Sequence, residues 1–215
     1  MPSSADGHLP RESHYFDPEP GTTSRRRTVV VSLPDRHLRM ASDRGVFSAD
    51  RLDPGTKLLL LEAPPLAHES AVLDLGCGWG AIACVVAQRA PDATVWAIDV
   101  NRRALHLTEH NAAALGLTNV NVATPDEVDA GLRFDRLLSN PPIRIGKTAL
   151  HELLVRWLGR LGPGGLAHLV VQRHLGADSL ASWLEGRGHP VGRLTSRAGY
   201  RLLEVGPSPP PENRP

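Results

Sequence analysis

The nine residues Val72-Leu73-Asp74-Leu75-Gly76-Cys77-Gly78-Trp79-Gly80 constrain this chain more than any other stretch. An apolar run with one carboxylate reads as a buried strand, and it ends in a turn where every second side chain is missing. Backbone N–H groups can approach a ligand closely there. The segment Ala81 to Ala87 reads as a helix whose N-terminus aims free N–H groups and its positive dipole end at the same turn. The spacing is G-x-G-x-G rather than the dinucleotide G-x-G-x-x-G, and an aspartate stands on the strand before it, which disfavours NAD. Glycines also serve plain tight turns, so the rest of the chain has to decide what this one is for.

From this turn onward strand and helix alternate regularly, the pattern of a parallel sheet covered on both faces. Strands are predicted at Val72–Leu75, Thr94–Ile98, Val120–Ala123, Phe134–Ser139 and Leu166–Gln172, with helices at Ala81–Arg89, Asn101–Leu115, Ala149–Leu161 and Ala177–Glu185. Gly162-Pro163-Gly164-Gly165 reads as a turn. Val191–Thr195 and Tyr200–Val205 read as an antiparallel pair that completes seven strands. Upstream, Thr28–Ser32 and His37–Met40 read as two short strands, Gly45–Ser48 as a loop, and Asp53-Pro54 as the cap and first turn of a helix that stops at Pro64-Pro65. The expectation is an α/β fold: a doubly wound, mostly parallel seven-stranded sheet over residues 67–205, with a small β extension over 12–66. Residues 1–11 and 206–215 lack apolar periodicity and are predicted to be disordered.

The 215 residues are enough for one α/β domain with a substantial core. The two cysteines, Cys77 and Cys84, have neither C-x-x-C nor metal-ligand spacing, so no disulfide or zinc is expected and a reducing cytoplasm suits the chain. No run approaches a membrane span and no basic-then-apolar leader opens the chain, so no membrane partner is expected. His106 and His110 share a helix face, but the glutamate of H-E-x-x-H is missing and they read as solvated, leaving no metal. The net charge of +1 does not announce a nucleic-acid partner, but its distribution is uneven. Arg25, Arg26, Arg27, Arg36, Arg39 and Arg44 crowd one end, and Arg187, Arg193, Arg197 and Arg201 the other. They are either ordinary solvated arginines or, where the fold gathers them, a track for a phosphate backbone.

Asp74-Leu-Gly-Cys-Gly-Trp-Gly80 resembles the first motif of the S-adenosylmethionine-dependent methyltransferases of the doubly wound class. By that resemblance Gly76, Cys77, Gly78 and Gly80 wrap the cofactor. Asp74 stands near the cationic end of its methionine moiety, partnering either the ammonium or the N–H groups of the following helix. Asp99 ends the second strand about twenty residues beyond the glycines, where such folds place a carboxylate for ribose hydroxyls; Val100 stands beside it. Asp99 also fits an N-cap, and both roles can hold together. Asp126 follows the third strand, where the resemblance implies an acidic residue near the adenine amino group.

Ser139-Asn140-Pro141-Pro142-Ile143 lies at the carboxyl end of the fourth strand, beside the crevice where doubly wound sheets bind ligands. Two prolines in a row donate no hydrogen bonds, and their fixed φ holds the backbone carbonyls as rigid acceptors. If the Asn140 side-chain oxygen and the Pro141 carbonyl accept the two hydrogens of an exocyclic amino group, its lone pair is held toward a sulfonium methyl. That is catalysis by orientation and electrostatics, without a strong base. The motif resembles that of amino-nitrogen methyltransferases, in which Asn140, Pro141 and Pro142 would be catalytic, Asn140 also touching the cofactor. Ile143 stands where those families commonly carry a stacking aromatic, a departure from the adenine-N6 and glutamine branches.

Asn140-Pro-Pro-Ile-Arg-Ile-Gly-Lys147 is similar to the N-P-P-I-R-x-G-K form of the guanine-N2 methyltransferases of small-subunit ribosomal RNA. His14-Tyr15-Phe16, Gly45-Val46-Phe47-Ser48 and Leu161-Gly-Pro-Gly-Gly165 extend the likeness. It implies Phe47 and Ser48 over the cofactor, Ile143, Arg144 and Lys147 at the RNA, and ribosomal RNA or the small subunit as partner. For Phe47 a core position, and for Lys147 plain solvation, fit as well. Some members carry a duplicated N-terminal domain that helps with RNA, for which this chain has no room. The competing readings are an N5-glutamine or N6-adenine methyltransferase and a non-catalytic RNA-binding module.

Overall fold

The computed structural model describes residues 23–67 and 70–208. The disorder expected for residues 1–11, the motif His14-Tyr15-Phe16 and residues 209–215 lie outside them. A two-stranded antiparallel hairpin, β1 (Arg27–Ser32) and β2 (His37–Ser42), leads through a loop into helix α1 (Pro54–Glu62). The doubly wound part follows: β3 (Ala71–Leu75), α2 (Ala81–Arg89), β4 (Thr94–Ile98), α3 (Arg102–Ala114), β5 (Val120–Ala123), β6 (Phe134–Ser139), α4 (Lys147–Leu158), β7 (Leu161–Gln172), α5 (Ala177–Glu185), β8 (Val191–Arg197) and β9 (Tyr200–Val205). The sheet order is β5-β4-β3-β6-β7-β9-β8, with β9 running against its neighbours β7 and β8. The seven-stranded α/β expectation holds.

Alternation along the strands divides the interior into two cores, because successive side chains face opposite sides of a sheet. Val72, Leu138, Val170 and Leu202 face one side with α1, α2 and α3. Leu73, Leu137, Leu169 and Leu203 face the other with Trp157 of α4 and Leu184 of α5. The hairpin has no core of its own: Val29, Val31, Leu38 and Met40 belong to the first core. Asn111 of α3 pins it from within, taking the Ala41 N–H at 2.7 Å and donating to the Ala41 carbonyl at 2.8 Å and the Trp79 carbonyl at 2.8 Å.

Three of the differences from expectation have a clear physical reason. Gly162–Gly165 is not a free turn but a bulge inside β7: Leu161 already pairs with Phe134, and regular pairing resumes at Arg136 with Leu166. Gly165 must be small there, since a Cβ would lie 2.7 Å from the Phe134 carbonyl oxygen. Helix α4 starts two residues early, at Lys147, because a 3-10 turn at Ile143–Ile145 and Gly146 at φ 97° deliver the chain directly into it. The tail expected to be disordered from Gly206 stays attached through Ser208. Gly206 donates to the Pro190 carbonyl at 2.9 Å, and the Ser208 hydroxyl to that of Arg187 at 3.2 Å.

The strand order reverses between β3 and β6: β4 and β5 lie to one side, β7 and its partners to the other. At such a switch point two consecutive connections leave in opposite directions and open a crevice at the strands' carboxyl ends. Gly76 follows β3 there and Asn140 follows β6.

Candidate functional site

A cavity of about 550 Å³ occupies this crevice, a size common for cofactor sites. Its floor is the turn after β3. Gly76 and Gly78 sit at φ 77° and 57°, and no heavy atom lies within 4 Å of where a Cβ would stand on either. The backbone is thus bare toward the cavity. Gly80, at φ 83°, serves packing instead: a Cβ there would meet the Thr108 side chain at 2.9 Å.

Asp99 forms one wall. Its two carboxylate oxygens take the N–H groups of Gly78 at 3.0 Å and Asn101 at 2.9 Å, and burial raises its pKa while those donors oppose the rise. Each oxygen keeps a lone pair for a hydroxyl. Asn101 is the actual cap of α3, its side-chain oxygen accepting from Arg103 and Ala104. Val100 lines the cavity beside Asp99 and is 43% exposed.

The extension supplies the roof. The loop carrying Val46, Phe47 and Ser48 is tied down at three points: Arg103 Nη1 donates to the Arg44 carbonyl at 2.7 Å, Asn101 Nδ2 to that of Gly45 at 2.7 Å, and Trp79 Nε1 to that of Ser48 at 3.3 Å. Phe47 and Ser48 both line the cavity, and Phe47, 40% exposed, is not a core residue.

The fourth wall carries the reactive geometry. Asn140 Nδ2 donates to Asp53 Oδ1 at 2.8 Å and to Thr56 Oγ1 at 3.0 Å. A carboxylate only accepts, so the NH₂ end must face it and the amide oxygen faces the other way. Asp53 is itself held as the α1 cap, taking the Gly55 and Thr56 N–H groups at 2.8 and 3.0 Å. Pro142, at φ −75° and ψ 74°, makes an inverse γ-turn, and the Pro141 carbonyl receives the Ile143 N–H at 2.8 Å. The expected rigid acceptor is therefore already engaged once. The turn fixes its direction and leaves a second lone pair. Tyr200 closes this end: its ring packs on Gly55, its hydroxyl accepts from Gln172 Nε2 at 3.1 Å, and burial, then the nearby Asp53 charge, raises its pKa.

An added Cβ at Gly55 would lie 2.6 Å from Tyr200 Cε1 and 2.9 Å from Asp53 Oδ1. Gly55→Ala is expected to cost about 1–3 kcal/mol in chemical denaturation, despite alanine's better helix propensity, by displacing both groups. A neutral or stabilised variant would mean that the ring moves freely.

Several expected site residues stand elsewhere. Asp126 is not in the cavity wall: its side chain is 89% exposed and pairs with Arg156 at 3.0 Å, and Pro125 lines the cavity instead. Cys77 turns away from the main cavity, its Sγ 3.5 Å from Thr108 Oγ1 and its pKa pushed up by burial. Lys147 sits in the first turn of α4 outside the wall, whereas Ile143 and Arg144 are part of it. Asp74 takes the second of its two alternatives: Oδ2 accepts the Ala83 N–H of α2 at 2.9 Å, and Oδ1 has no partner.

Burial lifts the Asp74 carboxyl to about 8. A folded-state pKa raised this way favours folding below the unfolded value near 4, and that support is lost as pH climbs toward 8. Asp74→Asn is therefore expected to melt above the wild type at pH 8 and to lose that advantage by pH 5. A gap independent of pH in paired thermal melts would refute the assignment.

Asp53, Thr56, Gln172 and Tyr200 are cavity or support residues that sequence reasoning did not assign to the site. The cap signal at Asp53 was legible, but nothing local shows that Asn140, 87 positions away, shares it.

Among the described residues no three His, Cys, Asp or Glu side chains group as metal ligands, and no helix is long and apolar enough to cross a membrane. The chain is 34% identical over 195 residues to the uncharacterized protein YbxB of Bacillus subtilis, covering 89% of this chain and 97% of that one. It is 34% identical over 164 residues to Ribosomal RNA small subunit methyltransferase C of Shewanella loihica, covering 74% of this chain and 47% of that one. A 16S rRNA N2 methyltransferase of T. thermophilus, solved in complex with AdoMet and guanosine, superposes with a TM-score of 0.72. Identity there is 25%, over 84% of this chain and 50% of that one. The chain thus spans about half the length of these two rRNA methyltransferases. The family model for the methyltransferase small domain matches residues 37–204, from the second hairpin strand through the last strand of the sheet, and the chain belongs to that family.

Proposed function

We propose that this chain is an S-adenosylmethionine-dependent methyltransferase that modifies the exocyclic N2 of a guanine in small-subunit ribosomal RNA, working in the cytoplasm where that RNA is found. The observation that carries the proposal is the Asn140 amide, oriented by Asp53 and Thr56 so that its oxygen is the atom left to accept. The cavity fits the cofactor on three counts. The floor at Gly76 and Gly78 has no side chain, the Asp99 oxygens each retain a lone pair, and Val46, Ile98 and Ala104 add apolar lining.

When bound, the cofactor supplies a methyl group made electrophilic by its sulfonium. The protein's part is to hold the nucleophile. Asn140 Oδ1 accepts one hydrogen of the guanine NH₂ and the Pro141 carbonyl, through its second lone pair, accepts the other. The nitrogen lone pair is then directed out of the ring's conjugation and toward the incoming carbon. As the N–C bond formed and the S–CH₃ bond broke, leaving S-adenosylhomocysteine, positive charge would grow on the nitrogen and both acceptors would bind it more strongly, which is where the barrier falls. The alkylated nitrogen is acidic and loses its proton to water, so no strong base is required. The relatives named as rRNA methyltransferases favour RNA over a glutamine amide or DNA as acceptor.

The test is incubation with methyl-labelled S-adenosylmethionine and separate pools of 16S rRNA, 23S rRNA, DNA and ribosomal protein, taken from cells lacking the gene. Label recovered from 16S rRNA as N2-methylguanosine supports the reading. Label confined to protein, or to adenine, ends it.

A further inference from the structure

We infer that an arginine-lined hollow at the β8–β9 turn is the phosphate site that grips the RNA strand beside the target nucleotide, an inference that rests on the RNA reading above. The hollow, about 380 Å³, is walled by Arg173, Arg193, Arg197 and Arg201, with the Ser196 hydroxyl among them. Tyr200 lines both it and the main cavity, so the two adjoin at one residue. A nucleotide seated against Asn140 can therefore send its backbone over this turn.

The turn is built to hold the cations close. Arg197 pairs directly with Tyr200 across two residues, Ala198 at φ 52° and Gly199 at φ 82°. Left-handed backbone at both positions is the tight hairpin turn in which Asn-Gly is the usual pair, and alanine adopts it at a cost. The Arg173 N–H donates to the Gly199 carbonyl at 2.8 Å, which fastens the end of β7 to the turn and sets Arg173 beside Arg197.

The four arginines divide into two pairs. Asp178 of α5 holds Arg193 at 3.2 Å and also pairs with Arg201, so those two share one counter-charge and act as walls. Among the described residues Arg197 reaches only Glu62, at 3.8 Å with its side chain 71% exposed, and no carboxylate pairs with Arg173. Two cations facing solvent in a hollow beside the cleft match the charge of a strand's phosphates, and guanidinium suits their oxygens. Of the two basic ends of the sequence, this one borders the cleft directly. An acidic protein segment would find the same charges, but the wall shared with the guanine site favours the nucleic-acid backbone.

The test compares wild-type protein, the double variant R173S/R197S, and a control with equal charge removed from the other hairpin, R36S/R39S. Steady-state methylation of 16S rRNA is measured over a range of salt concentrations, and S-adenosylmethionine affinity by calorimetry. The expected result for R173S/R197S is a KM for RNA raised about tenfold at moderate salt, with kcat and cofactor affinity nearly unchanged and the log–log salt slope shallower by about 1.4, the value for two single-strand phosphate contacts. An unchanged slope and KM in a variant that still binds cofactor would overturn the inference, as would an equal change in the control, which would mean a diffuse field. A wild-type enzyme that labels no RNA refutes the guanine reading itself, and is told apart because it needs no variant.

Discussion

On the proposed function, Asn140→Ala is expected to lower kcat for RNA methylation by about 10²–10³-fold, the range for removing one preorganised hydrogen-bonding group from a developing charge. Cofactor affinity stays nearly unchanged, since Asp99 and the glycine turn remain. The more telling variant is Asp53→Asn. It preserves size and the cap on α1, yet an asparagine can donate as well as accept, so nothing then obliges the Asn140 amide to keep its NH₂ end toward residue 53. A fall in kcat approaching that of Asn140→Ala is expected, with only a small loss of stability from the weaker cap. Single-turnover rates at saturating cofactor read this directly. If Asp53→Asn turns over like the wild type, the amide is not oriented by that carboxylate and the mechanism is wrong in its central contact.

Asp99→Ala separates binding from chemistry in the opposite sense. Two hydroxyl contacts to a buried carboxylate contribute on the order of 3 kcal/mol together, so S-adenosylmethionine affinity should drop by about 10² or more. The Gly78 and Asn101 N–H groups also lose their acceptor, which adds disorder to the cavity floor. Asp99→Asn, which keeps one acceptor oxygen, should fall between. At saturating cofactor Asp99→Asn should recover most of its kcat, because the residue never touches the amine. Calorimetry with S-adenosylhomocysteine, the demethylated product, checks the affinities without turnover. Equal affinity in Asp99→Ala and the wild type would remove Asp99 from the cofactor site.

The residues whose placement could be read early are those whose chemistry is local. Gly76 and Gly78 announce a bare backbone because glycine has no Cβ, and Pro141-Pro142 announce a rigid turn because the ring fixes φ. Asp99 was legible for the same reason, as a carboxylate closing a strand. Asp126 was not: its position after β5 is right for a carboxylate facing the cleft, but Arg156 of α4 draws it outward, and that helix lies thirty positions on. Gly162–Gly165 misled in the same way. Glycine and proline there suggest a turn, but the reason for Gly165 is the Phe134 carbonyl of the adjacent strand.

Alternating apolar residues, capping side chains and turn glycines wrote the order of strands and helices, the doubly wound class and the Asn-Pro-Pro corner into the chain, because each acts over a few residues. Folding decided what the amide of Asn140 can do, since its partners Asp53 and Thr56 arrive from a helix in the extension. It also decided how the arginines are paired, bringing Arg173 and Arg197 to one hollow where Asp178 holds Arg193 and Arg201. Orientation and charge pairing depend on distances between groups far apart in the chain, and only the packed sheet sets those distances.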